Sequence, residues 1–127
     1  TLEYTADRKE LATKNLEECN LLDKVTLLQG KIIEILERLD LKHFYLHDNE
    51  KDPYLDFAFI DASKLEYVEH FNLIHPKLKK NGMIVADNII SHENKVKNYI
   101  DLMTAHEDYQ TVKLNLGAGL LVSLKIK

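Results

Sequence analysis

Cysteine is almost missing: Cys19 is the only one in 127 residues. One thiol excludes an internal disulfide and fits a reducing compartment, so a cytoplasmic location is expected. Cys19 falls in a helical pattern with no partnered motif, which predicts a half-buried structural thiol rather than a nucleophile. An excess of positive charge is also missing. Seventeen basic and 21 acidic side chains leave a net charge of -4. That balance provides no electrostatic footprint for nucleic acid. No apolar stretch approaches the roughly 20 residues of a membrane span. The opening residues are polar and charged, so no signal peptide is visible. No internal repeat, low-complexity segment or second domain stands out. The length allows a single domain, 1–127, with its own core. The chain opens on Thr1 rather than Met, and Thr1-Leu2-Glu3-Tyr4 already reads as the end of a strand. The start is therefore expected to be a truncation, a processed end or a continuation from further upstream, unless another chain fills the gap.

Apolar periodicity gives the elements. Asp7 and Glu10 form a capping-box pattern, and Leu11, Ala12, Leu16 and Cys19 predict a helix to about Asn20. Val25-Thr26-Leu27-Leu28 is a short strand closed by Gly30. Ile32 to Leu39 continue as a helix to about Leu41. Residues 42–54, with Pro53, read as a loop or a frayed helix end. A strand at 56–60 follows, then a helix with Leu65, Val68, Phe71 and Ile74 on its apolar face, ended by Pro76. Asn81-Gly82 predicts a turn into a strand at 83–87. Val96, Tyr99, Ile100 and Met103 mark another helix. The segments 111–116 and 120–126, joined by Gly117-Ala118-Gly119, predict a β-hairpin. Strands alternating with helices mean a parallel sheet with helices on both faces, closed here by an antiparallel hairpin.

Two uncharged apolar runs end in carboxylates. Phe57-Ala58-Phe59-Ile60 leads into Asp61-Ala62-Ser63-Lys64, and Met83-Ile84-Val85-Ala86 leads into Asp87-Asn88. In a parallel α/β sheet, residues past the carboxyl ends of strands line the ligand crevice. Asp61, Asp87 and Asn88 would meet there as three oxygen ligands for a hard cation such as Mg²⁺. Lys64 would stand beside them as a base. An Asp after a buried strand more often caps a helix or makes a turn. The company of Lys64, Asp87 and Asn88 is what favours a ligand set here.

This layout resembles the class I S-adenosylmethionine (SAM)-dependent methyltransferases, and more closely the metal-dependent O-methyltransferases of the catechol and caffeoyl-CoA type. The residues that carry the resemblance are Glu3, the run Val25 to Gly30, Phe59 to Lys64, Val85 to Asn88, and Gly117-Ala118-Gly119-Leu120. It implies a Rossmann-like methyltransferase sheet whose last strand runs antiparallel. The acidic residue that holds the ribose of SAM falls on Glu3. The segment facing the adenine falls on Gly30, Lys31 and Ile32. The metal ligands fall on Asp61, Asp87 and Asn88, with Asp61 bordering the cofactor as well, and the catalytic lysine falls on Lys64. The acceptor would be a small molecule with a hydroxyl, of vicinal-diol or catechol type, and the assembly a homodimer.

The family's first strand, its glycine-rich turn and its N-terminal helices have no counterpart in these residues. That strand lies at the centre of the family's sheet, so residues 1–127 alone are expected not to fold as a self-sufficient unit. Two other functions compete. A nicotinamide-dependent dehydrogenase would also use Glu3 for ribose, but gives no reason for Asp61, Lys64, Asp87 and Asn88 together. A non-catalytic Rossmann-like fragment could bind a partner through open strand edges, although the intact metal set speaks against it.

The six histidines invite a zinc reading. His43 and His47 are four apart, yet no third ligand stands near them. His70, His75, His92 and His106 are expected in surface or capping roles, with His92 a weak candidate for substrate contact. Tyr54, Tyr67, Phe71 and Tyr99 are expected to pack, and Gly117 and Gly119 to serve the hairpin.

Overall fold

The computed structural model describes residues 1–38 and 55–127. The chain divides into two compact units, Thr1–Leu39 and Asp40–Lys127. The loop expected at 42–54, the end of the helix expected to reach Leu41 and the His43/His47 pair lie outside the described residues. No described helix is long and apolar enough to cross a membrane.

The first unit contains β1 (Leu2–Glu3), α1 (Ala6–Glu18), β2 (Leu28–Gln29) and α2 (Ile32–Arg38). β1 and β2 pair in parallel, with Glu3 opposite Gln29. Backbone bonds of 3.0 Å from Leu28 to Thr1 and from Gly30 to Glu3 extend the ladder at both ends. The strand expected from Val25 therefore starts only at Leu28. The Val25 N–H is turned back onto the Leu22 carbonyl and is lost to the sheet. The capping box expected at Asp7 is also displaced. Thr5 holds the N-cap position without a side-chain cap. Its N–H and hydroxyl donate to the Glu3 carboxylate instead. Asp7 lies inside the first turn, where its charge suits the helix dipole. Cys19 is exposed at the C-cap, not half-buried, because α1 buries none of its residues.

The second unit holds β3 (Leu55–Ile60), α3 (Tyr67–Ile74), β4 (Leu78–Ala86), α4 (Glu93–Ala105), β5 (Tyr109–Leu114) and β6 (Leu120–Lys125). Its sheet has the order β3-β4-β6-β5. β3 and β4 are parallel, and β6 runs antiparallel to both β4 and β5, so the expected hairpin is present. Buried Tyr67, Phe71 and Ile74 on α3, and Val96, Tyr99 and Met103 on α4, recur at helical spacing. They cover the sheet face of Ile60, Ile84, Ala86 and Leu121. Ser123, fully buried on that face, shares a 3.0 Å hydrogen bond with Thr111, whose hydroxyl also donates to the Met103 carbonyl. On the opposite face Phe57 and Phe59 remain 55% and 56% exposed.

β4 is longer than its sequence suggests. The turn expected at Asn81-Gly82 lies within the strand, as a bulge. Pairing runs from Leu55↔Leu78 directly to Phe57↔Met83, and Asn81 takes a left-handed φ of 65°. Asn tolerates that conformation, so the turn signal was real but was absorbed by the strand.

His70 also departs from expectation. It is 1% exposed on α3, and its Nε2 has no hydrogen-bond partner among the described residues. Burial holds its pKa below the ordinary value, partly opposed by Glu66 and Glu69. An unfolded His takes a proton at about pH 6.5, whereas the folded one resists it. Stability present above that pH should fall as pH drops below about 6.5. Urea midpoints measured across this window should decline, and His70→Leu should flatten part of the slope. An unchanged slope in the variant would remove His70 from this role. His75, also lowered by burial, supplies a share of the same sign.

Candidate active site

The sequence-predicted residues fall into two sets, one in each unit. In the first unit, Glu3 ends β1 and the Gly30 N–H donates to its carbonyl at 3.0 Å. Both therefore sit at the carboxyl end of the β1/β2 pair. One Glu3 oxygen accepts from the Thr5 N–H at 3.0 Å. This bond leads the causes that hold the Glu3 pKa below its usual value. The carboxylate is thus ionised and aimed, with Oε2 unengaged among the described residues. Lys31 makes an exposed 3.4 Å ion pair with Glu34, so its side chain is a surface group. Its carbonyl accepts from Ile35, and Ile32 opens α2 half-buried.

In the second unit, Asp61 follows β3 and Asp87 follows β4. The Asp87 N–H donates to the Ile60 carbonyl at 3.0 Å, which carries the parallel ladder one step past the strand and sets the two carboxylates on neighbouring strand ends. Lys64 opens a 3₁₀ turn, Lys64–Glu66, not the helix itself. This turn bends Lys64 back so that its Nζ donates to Asp61 Oδ1 at 2.7 Å. The lysine side chain is 16% exposed and its Nζ lies 5.3 Å from the centre of the Tyr67 ring. Burial works to lower the Lys64 pKa, but the bond to Asp61 and the proximity of Tyr67 outweigh it, and the net shift is upward. Lys64 rests as an ammonium paired with Asp61.

Asn88 adopts a left-handed φ of 63°. Its N–H donates to Asp87 Oδ1 at 2.6 Å, which fixes the carboxylate, and its carbonyl accepts from His92. The loop beyond is held by the hairpin turn. Ile89 donates to the Gly119 carbonyl, and Ile90 and Ser91 donate to the Ala118 carbonyl, each at 3.0 Å. His92 meets Ser91 Oγ at 2.9 Å through Nδ1.

Tyr67 is the residue that sequence reasoning missed. Its hydroxyl donates to the Asp87 carbonyl at 3.1 Å while its ring lies under Lys64. Tyr67 thereby ties the two strand ends together from beneath. An aromatic residue at helical spacing reads as packing, and Tyr67 does pack, edge-on to Tyr99 at 5.6 Å. Its place three residues after Lys64 was the available signal.

The donor set suits a hard cation. Asp61 Oδ1 faces Lys64 and Asp87 Oδ1 faces the Asn88 N–H, while neither Oδ2 has a protein partner among the described residues. Two carboxylates and an adjacent amide match the oxygen preference of Mg²⁺.

An α/β chain with parallel strand ends bearing these groups, and an antiparallel closing hairpin, has the architecture of Rossmann-like transferases. Residues 1–120 match the family model described as O-methyltransferase, and the chain belongs to that family. It is similar to the catechol O-methyltransferase of Niastella koreensis, with 31% identity over 99% of this chain and 53% of that protein. Two solved structures share the fold. One is the O-methyltransferase from Bacillus cereus in complex with SAH, with a TM-score of 0.80, 21% identity, and coverage of 98% of this chain and 61% of that one. The other is the O-methyltransferase TomG from Streptomyces achromogenes in complex with SAM, with a TM-score of 0.83, 19% identity, and coverage of 100% and 61%. The chain thus spans about half to three fifths of the length of these relatives. The resemblance read from the sequence is borne out at the level of family and fold.

Proposed function

We propose that this chain is part of a SAM-dependent O-methyltransferase that methylates a hydroxyl of a small acceptor with adjacent oxygens, assisted by a divalent cation. The observation that carries the reading is the joined pair of strand ends: Asp61 with Lys64, and Asp87 with Asn88, linked through Tyr67. Family membership and the SAM- and SAH-bound neighbours support the methyl donor.

Glu3 would accept the ribose hydroxyls, since a carboxylate can take two hydrogen bonds. Gly30, Lys31 and Ile32 would face the adenine through backbone groups. Asp61, Asp87 and Asn88 would hold the cation. A bound cation would supply Lewis acidity that makes the acceptor hydroxyl easier to ionise. Lys64 would receive the proton at Nζ. Its ammonium is sustained by Asp61, so engagement of Asp61 elsewhere removes the partner that raises its pKa and leaves burial to lower it. Adjacent oxygens on the acceptor follow from the cation's free positions, and orientation of the nucleophile in line with the methyl group supplies much of the rate.

The test is methyl transfer from labelled SAM to catechol in full-length protein, with and without a chelator. Turnover should vanish in chelator and return with Mg²⁺, and Asp61→Ala should stay inactive under both conditions with SAM binding retained. Full turnover in chelator refutes the cation's part. Loss of SAM binding in the unsubstituted protein refutes the donor.

A further inference from the structure

A second cluster of ligating groups stands at the opposite end of the sheet from Asp61 and Asp87. His75 lies in the 3₁₀ turn that enters β4, and His106 and Asp108 lie in the turn that enters β5. These are the residues before the strands, whereas Asp61 and Asp87 follow the strands. One ligating atom from each of the three lies within 4.8 Å of the other two. His75 Nε2 is 3.9 Å from Asp108 Oδ2, and the two imidazole centres are 5.2 Å apart. All three residues are half-buried.

The geometry points to a binding site for a borderline divalent transition-metal ion, zinc in type, formed by His75, His106 and Asp108. Two imidazoles and one carboxylate favour zinc, nickel or copper over magnesium or calcium. Donors about 2.0–2.1 Å from a tetrahedral zinc stand about 3.3 Å from one another. The 3.9 Å gap between His75 and Asp108 closes with a small side-chain rotation. Three protein ligands leave a fourth position open to solvent or a small ligand.

The surroundings resemble those of a ligand set. His75 Nδ1 is 2.9 Å from the Tyr109 hydroxyl, the outer hydrogen bond that orients a metal-binding imidazole and leaves Nε2 directed at Asp108. Burial holds His75 neutral at pH 7, with a lone pair available. His106 is packed edge-on against Phe71 and Tyr109, which fixes its ring plane. Its Nδ1 accepts a long 3.2 Å bond from the Asp108 N–H, which a metal bound at this ring would replace. Lys125 and His106 both oppose a positive charge on His75 and Asp108 favours it; the Lys125 ammonium is held by the His75 and Leu78 carbonyls at 2.9 Å each.

The test is a zinc titration of the full chain without a histidine tag, in excess Mg²⁺ to occupy the carboxylates at the other sheet end. Calorimetry and histidine-ring NMR are the readouts. One equivalent should bind, shifting the ring signals of His75 and His106 while those of His92 stay in place. Tyr109→Phe keeps the packed ring and removes only the hydroxyl, and should weaken zinc binding about tenfold. His75→Gln and Asp108→Asn should weaken it further. Ring shifts confined to histidines outside the cluster, or zinc affinity unchanged in His75→Gln, would overturn the site. Because the ring shifts are read on the unsubstituted chain, a variant that fails to fold cannot hide a negative result.

Discussion

Lys64→Met should lower kcat about 10²- to 10⁴-fold, the range expected for removing a positioned proton acceptor. Methionine keeps the apolar stem of a side chain that is only 16% exposed, so the fold should survive the change. SAM binding, proposed for Glu3 and Gly30, should be unchanged by calorimetry. Lys64→Arg is the sharper companion. Arginine can retain the ion pair with Asp61, yet it does not release its proton in proteins. If Lys64 acts as the base, both variants are inactive. If it only pairs with Asp61, the arginine variant keeps turnover and the base assignment falls. The base role also sets a direction with pH: the free-amine fraction grows as pH rises, so the acid limb of the kcat profile should climb and should disappear in the methionine variant.

Gly119→Ala should destabilise the fold by at least about 2 kcal/mol, from backbone strain and overpacking together. Gly119 has a φ of +91°, and a Cβ there would lie 2.7 Å from the Ile90 nitrogen. Ile90 cannot retreat freely, because its N–H and those of Ile89 and Ser91 are bonded to the same hairpin turn. Disturbing this contact also displaces the loop that positions Asn88, so turnover should fall with stability. Gly117→Ala is the control. It shares a positive φ of +57° but meets nothing within 4 Å, and should cost only about 1–2 kcal/mol. Urea unfolding of the two variants gives the order directly. Equal destabilisation would dissociate the Ile90 contact from the effect.

The sequence disclosed the groups better than their connections. Asp61 and Lys64 were legible because uncharged apolar runs mark strand ends and a spacing of three allows a bend back. Asp87 and Asn88 were legible for the same reason. The hairpin was legible from its glycines. Tyr67 was not, since a buried aromatic on a helix gives no sign that its hydroxyl holds the carbonyl of Asp87. His75 and His106 were expected in surface or capping roles, and Asp108 gave no signal, because chain-distant turns meet only once the strand order is known. Asp7 looked like a cap, and only the competing bonds from Thr5 to Glu3 show why the helix begins earlier. Cys19 was misjudged because α1 has apolar residues at helical spacing without burying any.

The bulge in β4 acts as a phase shift. At the entry of the sheet, Leu55 pairs with Leu78, an offset of 23 residues (78 − 55); from Phe57 onward the offset is 26 (83 − 57). Had the first offset continued, Asp61 would lie level with Ile84, and Asp87 would run on past the end of β3. The three surplus residues around Asn81 bring Asp87 level with Asp61 instead. Being odd in number, they also reverse which side chains of β4 point toward the helices, so that Ile84 and Ala86 turn inward. A deformation near the entry of the strand thus determines both what is buried along it and which two carboxylates meet at its far end.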